Sequence, residues 1–141
     1  MMRVVLDTNI LISAIFWNGK PRKVLDAAKN KRILLGTSRS MLNEFITVVL
    51  REEKFKTDMN DAVKRAQYIV NFSSLVEPKI KIYFSRDPGD DKVLECAASF
   101  NADCIVSADR DLLDIGSFLG IKIVTAEEFL KILVLPCESA P

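Results

Sequence analysis

The sequence predicts an α/β fold of three layers, with helices covering both faces of a central parallel sheet. Two observations carry this. Short apolar runs, several of them β-branched, alternate with longer amphipathic stretches along the whole chain, the pattern of strands joined by helical crossovers. In addition, four separated acids, Asp7, Glu44, Asp91 and Asp109, each come after a successive predicted strand. In a parallel sheet, those positions share one edge, the edge where sites form.

Val4-Val5-Leu6 reads as a buried strand, and Ile10 to Phe16 as a helix stopped by Asn18-Gly19. Pro21 suits a first helical position, and Arg22 to Lys31 continues with Val24, Leu25 and Ala28 on one face. Ile33-Leu34-Leu35 is a second strand, closed by Gly36. Ser38 or Ser40 caps the next helix, which runs to about Arg51 with Leu42, Phe45, Ile46, Val49 and Leu50 in one stripe and Glu44 beside it. Asp58 or Asn60 caps a fourth helix reaching Phe72, with Val63, Ala66, Ile69 and Val70 inward. Leu75-Val76 is a third strand. The alternation in Ile80-Lys81-Ile82-Tyr83 suits a small extra strand within the loop 78–89. A helix from Asp90 to Asn101 precedes a fourth strand, Cys104 to Ser107; Ile121 to Val124 is a fifth. Thr125-Ala126-Glu127-Glu128 is a capping box opening a last helix to Leu133. The expectation is one domain over residues 1–135 and a loose tail over 136–141.

Composition narrows the chemistry. The 141 residues include no histidine, which excludes Ser-His-Asp and Cys-His nucleophile systems and histidine-bearing zinc sites. The three cysteines form no Cys-x-x-Cys pair and read as buried thiols of a reducing cytosol. Lys+Arg 20 against Asp+Glu 19 leaves a net charge of +1, compatible with a local basic rim for nucleic acid. The start reads as too short and too soon charged for a signal peptide, and no apolar run approaches a membrane span, so a cytoplasmic protein with no membrane partner is expected.

Each acid also has a plain structural reading. Asp7 or Thr8 caps a helix; Glu44 is a solvated helix glutamate. Asp87 suits an N-cap and Pro88 the position after it, while Asp90 and Asp91 favour the positive helix end. Asp109 and Asp111 belong to a charged turn, and in an extended stretch they would point the same way. Capping accounts for one or two acids, not for the whole set. Gathered carboxylates repel at roughly 3 kcal/mol per pair at about 5 Å and an effective dielectric near 20. A hard cation with oxygen ligands, Mg²⁺ or Mn²⁺, offsets this and points to phosphodiester hydrolysis.

Together the motifs Val4 to Asn9, Ser38 to Arg51, Arg86 to Asp91, Ala102 to Leu113, and Gly120 to Thr125 with Phe129 closely resemble the PIN-domain family of metal-dependent ribonucleases. The likeness spans residues 3 to 131 and is strongest to the bacterial and archaeal branch containing toxins of toxin–antitoxin pairs. It implies a parallel sheet of order 3-2-1-4-5 and an endoribonuclease cutting RNA. It implies Asp7, Glu44, Asp91 and Asp109 as the catalytic and metal-binding quartet, with Asp111 or Asp90 as extra ligands. Ser107 stands where the family often has threonine and keeps the hydroxyl. Thr8, Asn9, Arg39 and Ser107 are the expected substrate contacts. Arg22, Lys23, Lys54, Lys56, Lys79, Lys81 and Arg86 are further candidates for phosphate. A homodimer and a small antitoxin are the implied partners. The alternatives are a metal-dependent DNA nuclease and a non-catalytic RNA- or protein-binding domain. An aspartyl-phosphate phosphatase is disfavoured because Asn9 stands where that chemistry wants a second aspartate.

Overall fold

The computed structural model describes residues 1–134. The expected tail 136–141, which includes Cys137, lies with Leu135 outside the described residues. The elements in chain order are β1 (Arg3–Leu6), α1 (Thr8–Phe16), α2 (Lys20–Lys29), β2 (Leu34–Ser38), α3 (Arg39–Arg51), α4 (Met59–Val70), β3 (Ser73–Val76), α5 (Pro88–Phe100), β4 (Cys104–Val106), α6 (Arg110–Ile115), β5 (Ser117–Phe118), β6 (Ile121–Val124) and α7 (Ala126–Val134). A short 3₁₀ turn, Glu53–Phe55, follows α3.

The sheet order is β3-β2-β1-β4-β6-β5. Its first five strands are parallel and follow the expected order, the predicted fifth strand being β6. The two-residue β5 adds an antiparallel edge that periodicity does not reveal. It pairs with β6 through Leu119 and Gly120, both at positive φ (51° and 79°). That is the conformation of a tight hairpin turn, normally signalled by Asn-Gly or Asp-Gly. Leucine in the first position hides the signal.

Alternation along β1 splits the core into two layers. Val4 and Leu6 face α1, α2, α3, α4 and α7, while Val5 faces α5 and α6. Both clusters are built from side chains almost wholly removed from water, worth ~25 cal/mol per Å² of apolar surface and the main driving force for the fold. The chain leaves β1 on one face and enters β4 from the other. Their carboxyl ends therefore meet at the point where strand order reverses. Val4, Val5 and Leu6 pair with Cys104, Ile105 and Val106, and the Asp7 N–H extends the ladder to the Val106 carbonyl at 3.0 Å.

Three local expectations change. Residues 80–83 form no strand; the segment is tied to α5 by side chains instead. Val63 is exposed, and Ala62 takes the inward place on α4. Gly36 lies inside β2 rather than closing it, because Phe100 of α5 fills the space above it. A Cβ at Gly36 would sit 2.5 Å from the Phe100 ring. The Arg3 guanidinium also lies against that ring, 4.1 Å from its centre, and donates to the Phe100 carbonyl at 2.7 Å. In contact with both, Phe100 sets how closely α5 packs on the sheet. Gly36→Ala should therefore destabilise the protein by about 1–3 kcal/mol, the usual cost of overpacking. Urea denaturation measures it, and a change below about 0.5 kcal/mol would mean that Phe100 has room to move.

Candidate metal centre

Asp7 caps α1, its Oδ1 accepting from the Ile10 N–H at 2.8 Å. Its Oδ2 accepts from the Ser107 hydroxyl on the neighbouring strand end. The Ser107 oxygen in turn accepts the Asp109 N–H at 2.9 Å. One fully buried hydroxyl thus fastens the end of β1 to the chain after β4. Burial pushes the Asp7 carboxyl up to about 6, with the charge of Asp109 adding to the rise; the Ser107 hydroxyl and the Ile10 and Ala108 N–H groups oppose it.

Carboxylate oxygens of Asp87, Asp90 and Asp109 lie within 4.8 Å of one another. Asp87 caps α5 by accepting the Gly89 N–H at 2.9 Å, and Asp90 follows one turn on. Asp109 caps α6, accepting the Asp111 N–H at 2.8 Å. Asp90 is only 7 % exposed, and its carboxyl is pushed up to about 7 by burial, then by the charge and hydrogen bonding of Asp109 and the charge of Asp87. Glu44 approaches the same helix end from α3. A Cβ at Gly89 would lie 3.3 Å from both Glu44 Oε2 and Asp87 Oδ1, so the bare glycine lets the two carboxylates converge over the first turn of α5.

Asp91 is placed differently from its expected position in the quartet. Its Oδ1 accepts the N–H groups of Ser85 at 2.7 Å and Phe84 at 3.2 Å. Glu95 accepts the Ile82 N–H at 2.9 Å, and Ser99 accepts the Lys79 N–H at 2.9 Å. Residues 91, 95 and 99 share one face of α5 at i, i+4, i+8. They form a ladder that satisfies four backbone N–H groups of segment 79–85, which includes residues 80–83, expected to be a strand. Asp90, one position earlier and ~100° around the helix, faces Asp109 instead. The i, i+4, i+8 spacing was available in the sequence as a sign that Asp91 belongs with Glu95. The role of Asp87 beyond capping was not visible there.

Among the other expected contacts, Thr8 is buried at the start of α1 and Asn9 is exposed beside it. Arg39 is exposed at the first residue of α3 and forms no ion pair with Glu44 among the described residues. Arg22 donates to the Ala14 and Ile15 carbonyls and closes the end of α1. Lys54 lies over the Trp17 and Phe55 rings. Asp111 is exposed in the first turn of α6; because this stretch is helical rather than extended, it does not project alongside Asp109 by strand alternation.

The donor set is all carboxylate and hydroxyl oxygen, with no cysteine in the cluster and no histidine in the chain. None of the ion pairs among the described residues involves Asp7, Glu44, Asp87, Asp90 or Asp109. Such a set fits a hard divalent cation and does not fit a site built for zinc.

The PIN domain family model matches residues 3–111. The chain belongs to the PIN-domain family. An uncharacterised protein of Methanocaldococcus jannaschii is 30% identical to it, covering 92% of this chain and 90% of the relative. Among solved structures, the VapBC2 complex of Rickettsia felis, bound to a DNA fragment from its promoter, contains a similar chain. It matches with a TM-score of 0.61 at 16% identity, over 86% of this chain and 97% of that one. A Pyrobaculum aerophilum protein matches with a TM-score of 0.60 at 14% identity, over 94% of this chain and 89% of its own. At these identities, the likeness is one of fold.

The raised acids carry a sign. A carboxyl whose folded pKa lies above its unfolded value binds more protons in the native state. It favours folding fully below the unfolded pKa, near 3.8, and loses that contribution as pH rises to about 6 for Asp7 and about 7 for Asp90. Asp90→Asn should therefore stabilise the metal-free protein at pH 8, by about 1 kcal/mol or ~3–5 °C in a domain this size. The gain should shrink at pH 5, and added Mg²⁺ should favour the wild type. Melting curves in EDTA and in Mg²⁺ at both pH values test this; a variant that melts below wild type at pH 8 in EDTA would refute it.

Proposed function

We propose that this PIN domain is a divalent-metal-dependent endoribonuclease, the toxin component of a toxin–antitoxin pair acting in the cytoplasm. The observation that carries the reading is the oxygen-only cluster at the β1/β4 switch point, whose acids form no ion pair among the described residues. Asp7, Asp90 and Asp109 would hold Mg²⁺ or Mn²⁺, with Glu44 and Asp87 close enough to the first turn of α5 to complete the set or to take a proton. Asp91 would act through the 79–85 segment that it holds. When bound, the cation supplies charge neutralisation for the phosphate and a more acidic water.

The chain's own groups supply the rest. Ser107 fixes the distance between Asp7 and Asp109. Asp109 and Asp87 are locked in orientation by the N–H groups they cap. Glu44, half-buried and with no hydrogen-bond partner among the described residues, is the acid best placed to accept a proton from water. Thr8, Asn9 and Arg39, at the starts of α1 and α3, are suited to contacts with the sugar-phosphate backbone, which would weaken with salt. Because water attacks, the 2′-hydroxyl takes no part, and the products carry 5′-phosphate and 3′-hydroxyl ends.

The VapBC2 neighbour is a complex bound to promoter DNA; that architecture supports a small antitoxin as partner here, with a homodimer as the expected assembly. No helix among the described residues is long and apolar enough to cross a membrane.

End-labelled single-stranded RNA should be cut in Mg²⁺ or Mn²⁺ and left intact in EDTA. Asp90→Asn should lower kcat by about 100-fold or more, the scale of a lost electrostatic group in a reaction centre. Asp91→Asn should retain more activity, since a side-chain carbonyl still accepts from Ser85. Equal loss in both variants would return Asp91 to the metal. A 2′,3′-cyclic phosphate end would exclude the hydrolytic route, and cleavage of DNA alone would favour a DNA nuclease.

A further inference from the structure

Segment 79–86 does more than cross the surface. Held along α5 by Asp91, Glu95 and Ser99, it carries Phe84 and Arg86 to the rim of the acidic cluster. There a cleft of about 310 Å³ opens between the segment and α6, lined by Phe84, Ser85, Arg86, Asp111, Asp114 and Ile115. Both walls are hydrogen-bonded to the candidate metal centre. The Ser85 hydroxyl donates to Asp90 Oδ2 at 3.4 Å, and the Asp111 N–H donates to Asp109 Oδ1 at 2.8 Å.

We propose that this cleft binds one unpaired nucleobase bearing an exocyclic amine, in the nucleotide next to the bond that is cut. The inference rests on the nuclease reading for its place along the strand, and on the cleft's own chemistry for its ligand. Phe84 is 53% exposed, yet its ring is fixed edge-on against Phe118 with centroids 5.2 Å apart. A large apolar ring anchored on one side and open on the other is a stacking platform. The facing acids, Asp111 and Asp114, are exposed, and neither forms an ion pair among the described residues. Ionised carboxylates only accept hydrogen bonds. They therefore favour cytosine, adenine or guanine, whose amino groups donate, over uracil, which offers two carbonyls and a single ring N–H. A free phosphate is a poor occupant, because two carboxylates oppose the one guanidinium. Arg86, at the mouth, suits the phosphate that follows the stacked base.

The ladder explains why this wall stands where it does. Without acceptors at 91, 95 and 99, four backbone N–H groups of the segment would lose their partners, and Phe84 its place beside Phe118. Asp91 thus serves as a positioning residue for substrate.

The test uses a short single-stranded RNA with one 2-aminopurine, which carries an exocyclic amine, among uridines. Its fluorescence is followed in Ca²⁺, with thermal melts to confirm that the variants fold. Wild type should quench the probe saturably. Phe84→Ala should weaken binding by about tenfold or more, the scale of one lost base–aromatic stack, and Phe84→Trp should restore it. An all-cytidine strand should compete at least about tenfold better than an all-uridine strand, the low end of a direct base contact. Phe84→Ala titrating like wild type, or equal competition by the two strands, would overturn the proposal. Cleavage of the same RNA is scored separately in Mg²⁺. Cutting without quenching defeats the base site and leaves the nuclease reading intact, whereas quenching without cutting supports the base site and defeats the nuclease reading.

Discussion

The parallel pairing of β1 with β4 is the constraint on which the site depends. It brings Asp7 and Ser107, a hundred residues apart, to adjacent strand ends, where one hydroxyl joins Asp7 to the backbone of Asp109. Phe100 sets the depth of α5 against that sheet, packed on bare Gly36 and against the Arg3 guanidinium. Since α5 also delivers Asp87 and Asp90, a fault in the apolar packing of its far end is transmitted to the acids at its near end.

Helix α5 handles its acids in two opposite ways. Asp91 and Glu95 are buried, but backbone N–H groups meet their carboxylates, so burial is offset by hydrogen bonds. Asp90 is equally buried and faces Asp87 and Asp109, with the Ser85 hydroxyl in its favour. The first arrangement builds structure and the second leaves charge uncompensated. A protein keeps uncompensated carboxylates in a cleft at a cost in stability, and a bound cation is the simplest agent to offset it. One helix therefore both holds segment 79–86 and presents the clustered acids, through adjacent residues.

The boundaries of most elements were legible locally. Of the alternatives Ser38 or Ser40 and Asp58 or Asn60, Ser38 and Asp58 cap their helices, and Thr125 with Glu128 closes a reciprocal cap at α7; α5 starts at Pro88 behind its Asp87 cap, two residues before the expected Asp90. Misreadings occurred where a local pattern had a tertiary cause. Ile80 to Tyr83 alternates like a strand, yet the acceptors it meets are side chains of a helix. Val63 fits the apolar stripe of α4, but the helix is turned so that Ala62 faces the core. The β5–β6 hairpin turns through Leu119 at positive φ, which local propensity disfavours.

By itself the sequence determined the class of fold and excluded histidine chemistry, because periodicity, capping residues and the absence of histidine are properties of the chain alone; the order of its parallel strands came from the resemblance to the PIN-domain family. Only the tertiary structure decided which acids converge. Neighbouring residues on a helix point ~100° apart, and whether Asp90 or Asp91 meets Asp109 depends on the rotation of α5 against the sheet. That rotation is set by Leu94, Ala97 and Phe100, which pack into the core further along the same helix.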